Sequence, residues 1–280
     1  MTWGDADSWR GERRQFRGRP GPLTWGRFLR DAISPSPPRL AFGVDPKRAE
    51  RYSLRQARYD ALAHDIDALA GKAARQSRRL SVLDIGSGGG ATPIHLRVRP
   101  NFGNIEIDAT DRDMQYNVDT SLYRSLFLGD LTLGYPELAS NSYDVVVCEQ
   151  VLEHLHELKV AIATIGRLVK PGGRAFVGVP IFIPPLHLAR RHLVPILDKL
   201  VGSTRHRDHV QAFTLADFKA TLLAHSGLRF VEARGFRIVS GGILRPLENQ
   251  RWWWAFNRWL GAQIPWACID VQVVLEKPVV

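Results

Sequence analysis

The chain has 280 residues, 45% of them hydrophobic, with 38 Lys and Arg against 28 Asp and Glu, a net charge of +10 and an isoelectric point near 10.0. That length and apolar content fit one large core. Two cysteines exclude a disulfide framework, and no stretch of about 20 apolar residues is present to span a membrane.

The positive balance favours an anionic partner: nucleic acid, a membrane surface or a phosphorylated substrate. The alternative is solubility with a basic tail. Residues 1–45 are rich in Arg, Gly and Pro, with Arg10, Arg13, Arg14, Arg17 and Arg19 crowded together. Such a segment buries little, so a basic, partly disordered N-terminal arm is expected. It holds no apolar signal-peptide core, and with so few cysteines a reducing cytoplasm fits.

Residues 46–76 read as one helix. Tyr52, Leu54, Tyr59, Leu62, Ile66 and Leu69 recur mostly every three to five positions, and Gly71 is placed to end the main run. From residue 80 strands and helices alternate. Strands are expected at 81–85, 105–110, 125–128, 143–148 and 174–179, the last entered through Lys170-Pro171-Gly172-Gly173, with a helix at 151–169. The alternation predicts a doubly wound, mostly parallel sheet covered on both faces. Cys148 closes an apolar run and reads as a buried, inert thiol.

After residue 180 the alternation stops. Residues 181–212 form one insertion and 241–266 a second, which holds five of the eight tryptophans. Between them, Thr214 is a good helix cap, Asp217 suits the first turn and Gly227 a stop, so a helix at 214–226 is expected, then a strand at 228–239. A final strand is expected at 270–275. Trp beside Arg in the second insertion suits a membrane interface or a greasy, anionic ligand; a lid packed on itself is the alternative.

The most informative stretch is Val82-Leu83-Asp84-Ile85-Gly86-Ser87-Gly88-Gly89-Gly90-Ala91-Thr92-Pro93. It reads as a buried strand, a glycine turn and a helix start. Glycine allows positive φ and leaves no Cβ between backbone and ligand, and a helix start offers free N–H groups. The turn lacks the Lys-Ser/Thr of a phosphate-cradling loop; by itself it also reads as a plain tight loop or as a dinucleotide fingerprint of the G-x-G-x-x-G type. Strand four leads into Cys148-Glu149-Gln150-Val151-Leu152-Glu153-His154-Leu155. In an open parallel sheet, ligands bind beyond the carboxyl ends of the strands, where strand order reverses. Both stretches lie there.

Asp-x-Gly-x-Gly-x-Gly resembles motif I of the class I S-adenosylmethionine (SAM) methyltransferases. Together with Asp144, the segment after strand four and the Lys-Pro-Gly-Gly turn, the resemblance covers about residues 80–180 and points to the broad group acting on small molecules, quinones and lipids. It implies a seven-stranded Rossmann-like sheet with the last strand antiparallel, within a domain spanning 46–280 whose two insertions form an acceptor lid. It implies SAM as cofactor, held by Asp84, Gly86, Gly88, Gly90, Asp111, Asp130, Leu131, Glu149 and Gln150. Asp111, 21 positions after Gly90, suits the ribose hydroxyls, and Asp130 with Leu131 the adenine.

Some relatives bind a divalent metal through Glu-x-x-Glu-His at this place. Here the first position is Gln150, a weak ligand for a hard cation, so no metal is expected. The reaction implied is in-line methyl transfer, at oxygen, to a small-molecule or lipid- or glycan-linked acceptor, with His154 and His209 as candidate bases. The alternatives are methylation of RNA or protein, supported by charge alone, and a catalytically silent SAM-fold scaffold. No recognised RNA module argues against nucleic acid. Peripheral contact at the inner membrane face is compatible with the Trp-rich segment.

Overall fold

The computed structural model describes residues 44–45, 48–52, 54–113, 119–183, 210–238 and 242–279. A two-stranded ribbon, β1 (Val44–Asp45) and β2 (Arg48–Tyr52), precedes helix α1 (Ala57–Arg75). Then follow β3 (Leu80–Ile85), the short α2 (Ala91–Leu96), β4 (Ile105–Asp111), β5 (Ser125–Leu128), β6 (Tyr143–Glu149), α3 (Leu158–Leu168), β7 (Val169–Pro180), α4 (Leu215–Ser226), β8 (Arg229–Phe236), α5 (Arg251–Gln263) and β9 (Asp270–Glu276).

β3 to β9 form one seven-stranded sheet in the order β5-β4-β3-β6-β7-β9-β8. All neighbours are parallel except β9, which runs antiparallel to both β7 and β8. The expected sheet and its antiparallel last strand are therefore present. β3 is central, with Ile85 paired to Thr110 of β4 on one side and to Cys148 of β6 on the other. The chain winds outward from β3 in both directions, and this reversal opens a crevice beyond Ile85.

Alternate strand residues feed opposite cores, as a two-sided sheet demands. Leu83, Ile85, Val146, Cys148, Val177 and Val273 pack with α3 and α4; Val82, Val145, Val147, Phe176 and Val274 pack with α1. α3 and α4 meet at backbone contact, where a Cβ on Gly166 would overlap the Ser226 carbonyl. Cys148 is fully buried and free, and burial pushes its thiol well above the usual range. This is the inert thiol expected.

Several expected boundaries move. Arg48–Tyr52 is a strand where helix was expected, and a 3-10 turn (Leu54–Gln56) precedes α1. Gly71 does not end α1, because its bare face admits the Asn101 side chain that bonds back to Asp67. The 151–169 helix starts at Leu158; Leu152–His154 is a 3-10 turn and Glu157 is extended (φ −107°, ψ 109°). Lys170-Pro171-Gly172-Gly173 lies inside β7 rather than before it. β8 stops at Phe236 because Arg237 turns left-handed (φ +60°) and donates to Asp270. Thr214 caps α4 as expected, accepting from the Asp217 N–H at 3.1 Å, and left-handed Gly227 ends it. Of the N-terminal arm, 1–43 lie outside the described residues; so does 184–209 of the first insertion.

Candidate functional site

The crevice beyond β3 is built from the glycine turn. Gly86, Gly88 and Gly90 all have positive φ (68°, 48° and 72°), a conformation that penalises any Cβ. A Cβ on Gly86 would also overlap the Val151 side chain. The turn is anchored to the end of β4: the Gly86 N–H donates to the Thr110 carbonyl at 2.7 Å, and the Gly88 N–H to Asp111 Oδ2 at 2.8 Å. Sequence spacing alone links Gly88 with Asp111; the fold makes that link a hydrogen bond.

Asp84 sits beneath the turn rather than in the crevice. It is buried, accepting from Thr92 Oγ1 at 2.9 Å and Tyr123 OH at 3.2 Å. Burial pushes its carboxyl up to about 7 against those two hydrogen bonds. Its visible work is to tie β3 to α2 and to the Tyr123 turn.

Asp111 ends β4 and pairs with Leu128, the last residue of β5, two positions before Asp130. Asp111 Oδ1 accepts the Arg112 N–H at 2.7 Å. Asp130 caps the 3-10 turn Leu131–Leu133, and both bonds from Thr132 land on Oδ1, at 2.8 and 2.7 Å. Those bonds hold its carboxyl below the usual range. Asp130 Oδ2 accepts nothing among the described residues. As first residue of that turn, buried Leu131 has an N–H with no partner within it.

The exit from β6 is the strained part. Gln150 holds φ +59°, uncommon for a residue with a Cβ, and its N–H donates to the Gly178 carbonyl at 2.8 Å. Its side-chain Nε2 is buried with no hydrogen-bond partner. Glu149 points elsewhere, over Gly178, where a Cβ would overlap its carboxylate. It accepts from Gln272 Nε2 at 2.7 Å and pairs with Arg58 Nε of α1 at 3.2 Å. Burial raises its carboxyl to about 7, opposed by Arg58 and Gln272.

His154 lies at the rim, its side chain 39% exposed. Its Nε2 is 3.9 Å from Glu153 Oε1, too long for a hydrogen bond. Glu153 itself is fully buried, and neither carboxylate oxygen has a hydrogen-bond partner. Burial pushes it up to about 8. Its backbone carbonyl accepts the Val210 and Gln211 N–H groups at 2.9 and 3.0 Å, so the segment entering α4 is tied to this turn. His209 lies outside the described residues.

The fold thus brings together Gly86, Gly88, Gly90, Asp111, Asp130 and Gln150. It sends Asp84 beneath the turn and Glu149 toward α1. Glu153 and Arg58 were not among the expected site residues. The signal for Glu153 was an acid in the otherwise apolar Val151-Leu152-Glu153; Arg58 carried none. The residues fit a SAM-type ligand: a glycine turn whose positive φ values penalise any Cβ, the Gln150 amide nitrogen without a hydrogen-bond partner, and an Asp130 oxygen that accepts nothing among the described residues. Among the described residues no group of three His, Cys, Asp or Glu side chains is placed to hold a metal ion.

A family model for a methyltransferase domain matches residues 54–233. The ubiquinone biosynthesis O-methyltransferase of Rickettsia canadensis is 31% identical over 102 residues, 35% of this chain and 42% of the relative. The protein of the same name from Aeromonas salmonicida is 33% identical over 112 residues, 39% and 43% of the two chains. This chain therefore spans about two fifths of the length of the curated relatives it matches. Among solved structures, a SAM-dependent methyltransferase from Archaeoglobus fulgidus is similar at 16% identity, covering 77% of this chain and 94% of that one with a TM-score of 0.47.

Proposed function

This chain belongs to the class I SAM-dependent methyltransferases, and on that premise we propose that it transfers a methyl group to a hydroxyl oxygen of a small-molecule acceptor. The observation that carries the reading is the meeting of the left-handed glycine turn, Asp111 and strained Gln150 at the point where strand order reverses. The two relatives named as ubiquinone biosynthesis O-methyltransferases support oxygen as the acceptor atom. When bound, SAM supplies a methyl carbon made electrophilic by its sulfonium.

The chain's own residues bind and orient. The glycine turn lies under the methionine and ribose part; Asp111 accepts the ribose hydroxyls. Asp130 Oδ2 accepts the adenine amino group, beside the Leu131 N–H. Gln150 Nε2 faces the methionine end. Asp84 acts from beneath, by holding the turn. Catalysis then rests on holding the acceptor oxygen in line, an effect of about 7–11 kcal/mol in favourable systems. The acceptor hydroxyl must lose its proton, and His154, at the rim, is the candidate that receives it. A greasy or lipid-linked acceptor suits the composition of 181–212 and 241–266. No helix among the described residues is long and apolar enough to cross a membrane.

The test is calorimetric titration with S-adenosylhomocysteine and, separately, NAD. Micromolar binding of the first alone, about −8 kcal/mol, is the expected result. A labelled-methyl assay over phenols, carboxylic acids and amines then reads the acceptor atom. Binding of neither nucleotide, or transfer to nitrogen only, refutes the reading.

A further inference from the structure

Helix α5 is amphipathic in an inverted sense. Its inner face holds Trp254, Ala255, Asn257 and Gly261, all buried, with the Arg258 guanidinium over the rings of Phe236 (4.9 Å) and Trp254 (5.9 Å). On the opposite side, at helical spacing, lie Trp252, which is exposed, and the half-buried Phe256, Trp259 and Leu260. Trp252 is 44% exposed, and Trp266, just beyond the helix, 56%. The rings form a continuous ladder: Trp252 to Trp253 at 5.4 Å, Trp253 to Phe256 at 5.6 Å, Phe256 to Trp259 at 6.1 Å. Isolated exposed apolar residues need no explanation, but a contiguous aromatic face does.

The helix is fixed in place. α5 meets β8 where a Cβ on Gly261 would overlap the Gly235 carbonyl, and one on Gly235 the Cys268 sulfur. The seating of α5 on β8 is therefore fixed, with Trp252 left exposed. From residue 249 to 269 there is no Asp or Glu, on a chain of net charge +10, and Arg258 is turned inward over Phe236 and Trp254. Phe236 ends β8, which runs parallel to β3, so α5 stands at the crevice end of the sheet. There it packs against Leu54, Ala57 and Ala61 at the start of α1.

We infer that the outer face of α5, with Trp266, seats on an anionic phospholipid surface and holds the crevice toward the lipid phase. Indole rings suit the headgroup boundary, having an apolar body and one N–H donor. An acid-free segment on a cationic protein complements a negatively charged leaflet. This rests on the proposed small-molecule acceptor only in its purpose: a membrane-seated enzyme takes an acceptor dissolved in lipid.

The experiment is sedimentation of the full chain with vesicles of phosphatidylcholine alone and of phosphatidylcholine mixed with phosphatidylglycerol, at low and high salt. It is run on wild type and on Trp252→Ala/Trp266→Ala, both exposed positions. Expected is sedimentation with the mixed vesicles, weakened by salt, and a partition coefficient lower by roughly tenfold or more in the variant. S-adenosylhomocysteine affinity should be unchanged between the two, which shows the variant folded. No sedimentation of wild type overturns the inference, as does equal sedimentation of the variant. Tryptophan-dependent self-association in sedimentation velocity, with no vesicle binding, overturns it in favour of a second copy on this face. The two readings fail separately: nucleotide binding without vesicle binding removes only the lipid surface, and the reverse removes only the methyltransferase site.

Discussion

Glu153→Gln tests whether a carboxyl group inside the turn after β6 carries a proton at neutral pH. The group is fully buried, neither oxygen is hydrogen-bonded, and burial raises it from an ordinary value near 4.5 to about 8. The sign follows from proton counting. Below 4.5 the folded and unfolded chains both hold this proton, and above 8 neither does. Between those values only the folded chain holds it, so rising pH favours unfolding, by about 1.4 kcal/mol per pH unit for this one group. Gln is the uncharged isostere and cannot titrate. It adds a buried N–H2 that lacks acceptors, a penalty of roughly 1–3 kcal/mol that does not change with pH.

The difference between wild type and variant across pH therefore isolates the titration from that constant penalty. Urea unfolding followed by circular dichroism from pH 5.5 to 7.5 is the assay. Wild type should lose about 3 kcal/mol relative to Glu153→Gln over those two units, roughly a hundredfold in the folding equilibrium. Stability curves that run parallel over the whole range would refute the protonated carboxyl. They would mean that Glu153 is ionised when folded and finds compensation from His154.

The remaining predictions concern the crevice and its supports. Gly86→Ala should cost about 1–2 kcal/mol for the left-handed backbone plus roughly 1–3 kcal/mol of overpacking against Val151. A double-mutant cycle with Val151→Ala should return the second part only, and zero coupling in urea melts would contradict the contact geometry. Asp111→Ala should weaken S-adenosylhomocysteine by about 10- to 150-fold in calorimetry, since charged hydrogen bonds contribute roughly 1.5–3 kcal/mol; unchanged affinity would remove Asp111 from the site. Asp84→Asn should lower stability without a comparable loss of affinity per folded molecule, and the opposite pattern would move Asp84 into the crevice. Thr214→Ala should destabilise by about 0.5–2 kcal/mol through loss of the α4 cap; a melting curve identical to wild type would show that the cap contributes nothing.

Much of the sheet was legible because its signals are local. Val82, Leu83 and Ile85 before a glycine turn, or Val145, Val146 and Val147 between polar ends, suit buried strands wherever they pair. Thr214 and Gly227 bound α4 through bonds made within a few residues. The chemistry at strand ends was legible for the same reason: a parallel sheet with a reversal places the residues after β3, β4 and β5 in one crevice. So Asp111 could be named from its spacing after Gly90, and Gly88 and Asp130 from the resemblance; Gly88 and Asp111 meet in a hydrogen bond.

The break after Gln150 was not legible. The 151–169 helix looked continuous because Leu155, Leu158, Ile162 and Ile165 keep helical spacing across a turn that is not α-helical. Only the tertiary structure decided where acids point. Asp84 lies one residue before the end of β3 and Glu149 ends β6, yet one is claimed by Thr92 and Tyr123 and the other by Gln272 and Arg58, partners up to 123 residues away. Glu153 is left without a hydrogen bond to either carboxylate oxygen, and no pattern of neighbours in the chain announces that. The apolar run of a strand and the spacing of glycines are properties of short segments, which the sequence by itself determines. The ionisation and aim of a buried carboxylate depend on every group that folding brings around it, and that is decided only when the distant elements have packed.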